Sequence, residues 1–333
     1  MKRKNNIYNN ICDMENIIEA VDKVFKSINN PKKKSYIKKN KTILVSSIYN
    51  TLCNKSYIPK PKNLFYIYEP KKRKIRSLRI IDKIINTLIS KEILYPALLP
   101  SLIDQNVASR PKHGTSKGKE YLRKYLNKAN INYGTYYILK CDIHKFFASI
   151  NHKRLKEKLK RKIKDKDALD IVFRIIDSDD EGLSLGSMTS QTLAIFYLND
   201  MDWYIKQKLR IKYYVRYQDD FILIHRSKKY LKECKRKIEE FLKKEKLELN
   251  KSTRIYKSSD NFSYLGETKR GQFVKRRKAI KKIKAAKHDY INNKISLSTY
   301  IAIINSYASR IGPKVYNYIT VDVKNKEKKA DEW

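Results

Sequence analysis

The spacing of apolar residues divides the chain into alternating helix and strand candidates. Residues 14–28 place Ile17, Ile18, Val21, Phe25 and Ile28 on one helical face, and Asp13 stands where an N-cap belongs. Residues 64–68 (LFYIY) read as a strand, followed by the basic run KKRKIR, and a helix is expected over 81–98. Residues 136–141 (YYILKC) form an apolar and aromatic run of strand length. Leu155, Leu159 and Ile163 then recur at helical spacing. A long amphipathic helix is expected over 189–210, carrying Leu193, Phe196, Met201, Ile205 and Leu209. Two short strands, 213–217 (YYVRY) and 221–225 (FILIH), flank Gln218-Asp219-Asp220, which is a hairpin signal. Leu231, Cys234, Ile238 and Leu242 mark a further helix. From about 267 the chain turns basic and helical, and 322–333 reads as a frayed tail. This order predicts an α+β fold in which one antiparallel sheet carries 136–142 beside the hairpin. No internal repeat and no Pro/Gly/Ser linker interrupts it.

Charge changes the picture. The chain has 333 residues, with 76 Lys+Arg against 34 Asp+Glu, a net charge of +42. Such self-repulsion calls for a polyanionic partner, and a phosphate backbone is the commonest one. A hydrophobic share of 41% excludes a disordered polyelectrolyte. The four cysteines (Cys12, Cys53, Cys141, Cys234) form no CxxC and no zinc-ligand spacing. Reduced thiols in a cytoplasmic protein are therefore expected, not a disulfide scaffold. No apolar run approaches a membrane span, and MKRKNN leads into no signal-like stretch.

Candidate chemistry lies in the acidic residues. A lone Asp-Asp turn is commonplace, because Asp bonds its own backbone in turns. Here the turn is flanked by Tyr217 and Phe221, and a further acid, Asp142, ends the strand 136–141. If that strand pairs with the hairpin, three carboxylates meet at one sheet edge. Such a cluster repels itself unless cations sit between its members. Two Mg²⁺ ions would relieve the repulsion and clamp the oxygens of a phosphoryl transfer. Gly182 and Gly186 bracket GLSLG just before the expected long helix, a loop that can let backbone approach a nucleotide. The acidic loop Asp177, Asp179, Asp180, Glu181 reads as a solvated turn, and His144 and His152 read as structural.

Taken together these segments resemble a bacterial reverse transcriptase. The first motif is Asp142-Ile143-His144-Lys145-Phe146-Phe147, continuing to Ile150-Asn151-His152. The second is GLSLGSMTSQ over 182–191, and the third is Tyr217-Gln218-Asp219-Asp220. Phe262-Ser263-Tyr264-Leu265-Gly266 is similar to a primer grip, and Arg110-Pro111-Lys112-His113-Gly114-Thr115 to a fingers element. The resemblance runs collinearly over about 60–310. It points to the group II intron-like lineage. Leu185-Gly186-Ser187-Met188-Thr189-Ser190-Gln191 is most similar to the enzymes of diversity-generating retroelements, where most bacterial relatives read Q-G-x-x-x-S-P. Solitary phage-defence reverse transcriptases are the alternative. A catalytically silent RNA-binding scaffold of the same fold is the alternative from another class; the intact Asp142, Asp219 and Asp220 argue against it.

The resemblance implies a right-hand polymerase: a helical extension over 1–59, fingers over 60–135, palm over 136–266, thumb over 267–321 and a tail over 322–333. It implies DNA synthesis on an RNA template with two Mg²⁺ ions, for which Mn²⁺ can substitute. Asp142 and Asp219 would hold the metals, with Asp220 and the Ile143 carbonyl assisting. Phe147 would exclude a ribose 2′-hydroxyl. Arg110, helped by Lys74 or Arg76, would neutralise the incoming triphosphate. Leu185, Gly186 and Gln191 would lie by the nascent pair. Tyr217, Tyr264, Leu265 and Gly266 would hold primer and template. Lys275, Arg276, Arg277, Lys281 and Lys282 would grip the RNA–DNA hybrid. The implied partners are template RNA, deoxynucleoside triphosphates, and a small basic accessory protein or a dedicated non-coding RNA. No membrane partner is implied. Three positions depart from the family pattern: Ser184 stands where Pro is usual, Gln218 replaces Ala or Met, and Thr253 replaces a Lys. That leaves Lys251 or Arg254 for the general acid.

Overall fold

The computed structural model describes residues 3–67, 73–268 and 276–311. The chain divides into two compact units, Met1–Phe65 with Ile75–Asp260, and Tyr66–Lys74 with Asn261–Trp333.

The first unit opens with helix α1 (Met14–Ser27), capped as expected: Asp13 Oδ1 accepts the Asn16 N–H at 2.9 Å. Its inward stripe is Ile17, Ala20, Val21 and Val24, the i, i+3, i+4, i+7 set. Ile18, expected on that face, is exposed, because one residue further turns the side chain about 100° around the axis. Helices α2 (Pro31–Lys39) and α3 (Lys41–Cys53) follow. The segment before α1 is tied into the same body. The N–H groups of Ile7 and Tyr8 both donate to Asp165 Oδ2, at 2.8 and 2.9 Å, and the Tyr8 hydroxyl donates to the Leu52 carbonyl. The apolar residues of 7–52 accordingly share one core with those of the central sheet.

Strands β1 (Asn63–Ile67) and β2 (Arg73–Ser77) form a two-stranded sheet. Helix α4 (Ile80–Ile89) continues through a wide turn at Ser90–Leu94 into α5 (Tyr95–Leu98), matching the helix expected over 81–98. Helix α6 (Thr115–Tyr133) leads into β3 (Tyr137–Asp142), then α7 (Phe146–Ser149), α8 (His152–Lys160) and α9 (Lys166–Asp177). Ile163 lies beyond the end of α8, where it pairs with Lys4 in a parallel bridge.

The long helix expected over 189–210 is broken. It comprises α10 (Met188–Tyr197), α11 (Asn199–Trp203) and a wide turn at Tyr204–Lys208. Helix α10 is not amphipathic: apart from Met188 and Gln191 in its first turn, every residue is buried. A helix enclosed on all sides has no polar face to show. The break at Leu198 leaves Asp202 fully buried.

Strands β4 (Tyr213–Tyr217) and β5 (Asp220–His225) form the expected hairpin, followed by α12 (Lys228–Lys244) and β6 (Arg254–Lys257). The sheet order is β4-β5-β3-β6, antiparallel throughout. Helix α12 buries Leu231, Cys234, Ile238 and Leu242, the stripe read from the sequence.

The second unit contains the short strands β7 (Ser263–Tyr264) and β8 (Glu267–Thr268), and helices α13 (Arg276–Ile291) and α14 (Leu297–Ile311). Ile283, Ala286, Tyr290, Tyr300, Ile304 and Tyr307 form its core. Helix α13 is basic as expected, but α14 is largely apolar in sequence. Lys275 and the tail 322–333 lie outside the described residues, as do the side chains of Lys74, Arg276 and Arg277. Lys281 and Lys282 are exposed. Among the described residues no helix is long and apolar enough to cross a membrane. All four cysteines are free.

Candidate active site

Strand register brings the acidic residues together. Asp142 is the direct partner of Asp220 across β3 and β5, and Tyr217 partners Asp220 across the hairpin. Only Gln218 and Asp219 form the turn. Gln218 has φ +54°, the left-handed region that a two-residue hairpin normally fills with Gly or Asn. The Ile143 N–H donates to the Asp219 carbonyl at 3.2 Å, which closes the turn against the first motif. On the other side the Asn250 N–H donates to the Asp142 carbonyl (2.7 Å) and the His144 N–H to the Glu248 carbonyl (2.9 Å). The backbone at 142–144 is therefore held from both flanks.

The site's electrostatics favour a cation. Burial pushes the Asp220 carboxyl up to about 7; Lys140 opposes the shift, and Asp142 and Asp219 add to it. Lys140 Nζ lies 3.5 Å from Asp220 Oδ2, while the buried Oδ1 has no hydrogen-bond partner. Among the described residues no three His, Cys, Asp or Glu side chains form a ready-made metal cage. The donors gathered here are nevertheless carboxylate oxygens, the hard ligands that Mg²⁺ and Mn²⁺ take, and Asp220 Oδ1 is an orphan that such an ion would satisfy.

Beneath the turn lies a network that hydropathy did not reveal. Arg216, in the middle of β4, is 0% exposed, and so is its partner Asp202. Arg216 Nε and Nη2 donate to the two Asp202 oxygens at 2.7 and 2.5 Å. Nη2 also reaches the Ile195 carbonyl (3.0 Å), and Nη1 the Gln218 carbonyl (2.9 Å). The Tyr214 hydroxyl adds a bond to Asp202 at 2.6 Å. The available signal was a charge inside YYVRY, an otherwise aromatic and β-branched strand.

The segment 105–110 approaches along the outer edge of β4. The Arg216 N–H donates to the Gln105 carbonyl and the Val107 N–H to the Arg216 carbonyl, both at 3.0 Å. Ser109 then accepts from Gln218 Nε2 (2.8 Å) and donates to Gln191 Oε1 (3.1 Å), linking the second and third motifs. Arg110 donates Nη1 to the carbonyls of Ile103 and Asn106, so part of its guanidinium is spent on its own loop.

The second motif packs directly on the first. The Leu183 N–H donates to the Phe147 carbonyl at 2.7 Å, and His152 Nε2 lies 2.6 Å from the Gly182 carbonyl, the structural role expected of that histidine. Gly182 has φ +62°, and a Cβ there would sit 2.4 Å from the Phe147 carbonyl oxygen. Gly182→Ala is expected to cost about 3 kcal/mol, from left-handed strain plus a clash with unyielding backbone. Chemical denaturation checks this; a midpoint equal to the parent's would mean that the two motifs can separate freely.

One acidic residue departs from expectation. Asp179 is buried, not a solvated turn residue. It accepts the Ser184 N–H (2.9 Å) and hydroxyl, and pairs with Lys62 (2.8 Å) and Arg76 (2.9 Å). Lys62 and the two hydrogen bonds from Ser184 offset the burial and hold its carboxyl below the usual range. Ser184 supplies an N–H and a hydroxyl that the family's usual Pro lacks. Arg76 lines a cavity of about 320 Å³ together with Phe65, Lys83, Gly186, Ser187 and Gln191. Leu185 is half-buried and Gly186 exposed. Phe147 is half-buried, whereas its neighbour Phe146 belongs to the core.

Thr253 is buried, and its hydroxyl accepts the Asp142 N–H at 3.5 Å. Arg254 Nε donates to the Tyr256 hydroxyl at 2.7 Å, while Lys251 is exposed. In the second unit, Leu265 and Gly266 form the β7–β8 turn with φ +49° and +83°, and Tyr264 is buried.

No curated protein matches the chain. Among solved structures the chain is similar to an apo telomerase from Candida tropicalis truncated from its C-terminal domain. Identity is 15% over 62% of this chain and 52% of that one, with a TM-score of 0.49. It is also similar to telomerase from Candida albicans in complex with a TWJ fragment of telomeric RNA, at 13% identity over 84% of this chain and 56% of that one, again with a TM-score of 0.49. The chain thus spans about half the length of these structures. The family model described as reverse transcriptase (RNA-dependent DNA polymerase) matches residues 58–268, the span that holds all five motifs and the antiparallel sheet of a right-hand polymerase fold. The chain belongs to the reverse transcriptase family.

Proposed function

We propose that the protein is an RNA-directed DNA polymerase whose reaction centre is the β3–β5 edge. The observation that carries this reading is the pairing of Asp142 with Asp220, with Asp219 on the adjoining turn. Two divalent cations bound there would supply a clamp on the attacking and leaving oxygens of the nucleotidyl transfer. Asp142, Asp219, Asp220 and the Ile143 carbonyl would hold them. A proton competes for Asp220 below pH 7, so cation affinity should rise with pH across neutrality. Lys251, exposed and near Asn250, is our choice for the acid that protonates the leaving pyrophosphate. The fingers would span 60–135, the palm 136–266 and the thumb 267–321.

Arg110, helped by Arg76, is our candidate for triphosphate contact: Arg110 spends only Nη1 on its own loop, and Arg76, though paired with Asp179, lines the cavity beside Gly186 and Gln191. Phe147, the more exposed of the two adjacent rings, would exclude the 2′-hydroxyl. Phe147→Ala should then incorporate ribonucleotides far more readily relative to deoxynucleotides. An unchanged ratio in competitive extension would move the gate elsewhere.

The partners we propose are template RNA, the RNA–DNA hybrid and deoxynucleoside triphosphates. A small basic accessory protein or a dedicated non-coding RNA would join them. The finer reading is an error-prone enzyme of a diversity-generating retroelement, supported by Leu185 beside Gly186. A Leu side chain offers no hydrogen bond with which to check a nascent pair, and an apolar contact discriminates by only ~1–3 kcal/mol. Sequencing of cDNA from the parent and from Leu185→Gln should show errors concentrated at template adenines and reduced in the variant. Faithful copying of adenines by the parent would favour the phage-defence alternative. The activity itself is tested by extension of a DNA primer on an RNA template with Mg²⁺; RNA binding without extension would favour the silent scaffold.

A further inference from the structure

A strand interior rarely holds an arginine, yet Arg216 stands directly beneath the acidic turn. A buried ion pair is weak evidence for stability, because apolar residues of similar volume often serve as well or better. An apolar pair could not supply the bond from Arg216 Nη1 to the Gln218 carbonyl. Gln218 needs that hold more than most residues would. At φ +54° it adopts a conformation disfavoured for any side chain bearing a Cβ, where glycine would sit without strain.

The guanidinium is fixed on the opposite side. Two of its nitrogens are engaged by Asp202 and one of these also by the Ile195 carbonyl, so its plane is set by α10 and α11. We propose that Arg216, clamped by Asp202, is a positioning residue of the nucleotidyl-transfer site. It fixes the Gln218 carbonyl and, through the turn, the backbone that aims Asp219 and Asp220. The assignment rests on the reading of those carboxylates as the reaction centre.

The test separates positioning from packing. In the triple variant Arg216→Met, Asp202→Leu, Tyr214→Phe, the pair becomes apolar, and no tyrosine hydroxyl is left facing the lost carboxylate. Thermal midpoint, Mn²⁺ affinity by electron paramagnetic resonance, and kcat and KM for deoxynucleotides on a primed RNA template are measured. The expected result is a midpoint close to the parent's, weakened Mn²⁺ binding and kcat about 100-fold lower, the scale of a 1 Å misplacement. A folded triple variant that keeps the parent's kcat and Mn²⁺ affinity overturns the proposal. Arg216→Lys decides the matter if the triple variant does not fold. Its single ammonium keeps a charge opposite Asp202 but cannot span Asp202, Ile195 and Gln218 together. Loss of kcat in folded Arg216→Lys supports the assignment, and parental kcat overturns it. If the parent enzyme makes no DNA, the reading of the site fails separately. The Mn²⁺ titration still decides positioning: weaker binding in the variants supports it, and equal binding overturns it.

Discussion

Asp219→Asn is expected to lower DNA synthesis by about 1,000-fold or more while folding and RNA binding persist. Asp219 occupies the second position of a two-residue turn and is only half-buried, so an isosteric amide disturbs little packing. What changes is charge. An amide oxygen is a weaker partner for a divalent cation than a carboxylate, and the transition state of phosphoryl transfer relies on that cation. The same substitution removes a repulsion from Asp220 and so lowers its proton affinity, which gives a second readout by NMR titration. Primer extension at the parent's rate by Asp219→Asn would show that the third motif does not carry the chemistry.

Affinity for RNA should fall steeply with salt. Each phosphate neutralised releases counterions and contributes roughly −0.7 to −0.9 to the slope of log K against log salt. The net charge of +42 provides far more cations than the surface ion pairs consume. With about six to ten phosphate contacts, affinity would drop by about 10³-fold or more between roughly 50 and 200 mM salt. Titration of a labelled RNA across that range checks this. A slope shallower than about −2 would mean that the lysines chiefly solubilise the chain.

Much of the fold could be read from local pattern. The Asp13 cap, the Leu231–Leu242 stripe and the hairpin around Gln218-Asp219 all depend on a few neighbouring residues, and each stands as expected. The approach of Asp142 to Asp220 was legible because the strand 136–141 and the hairpin share the same apolar character. What escaped was set by residues distant in sequence. Asp202 looks like one acid among several on a helix, and only the partner at Arg216 makes its burial tolerable. Asp179 sits in an acidic loop whose composition says solvent, until Lys62, just before β1, and Arg76 of β2 pair with it. Helix α10 looked amphipathic because periodicity cannot separate a half-buried helix from one enclosed on all sides.

Cation binding at the β3–β5 edge, as proposed, can be seen in a crystal structure of the protein with a primed RNA template, a non-hydrolysable deoxynucleotide and Mn²⁺, with the ions located by anomalous scattering. The expected result is two Mn²⁺ peaks about 3.5–4 Å apart, liganded by Asp142 and Asp219. Mn²⁺ bound elsewhere, with Asp142 and Asp219 making no contact to metal or nucleotide, would contradict it.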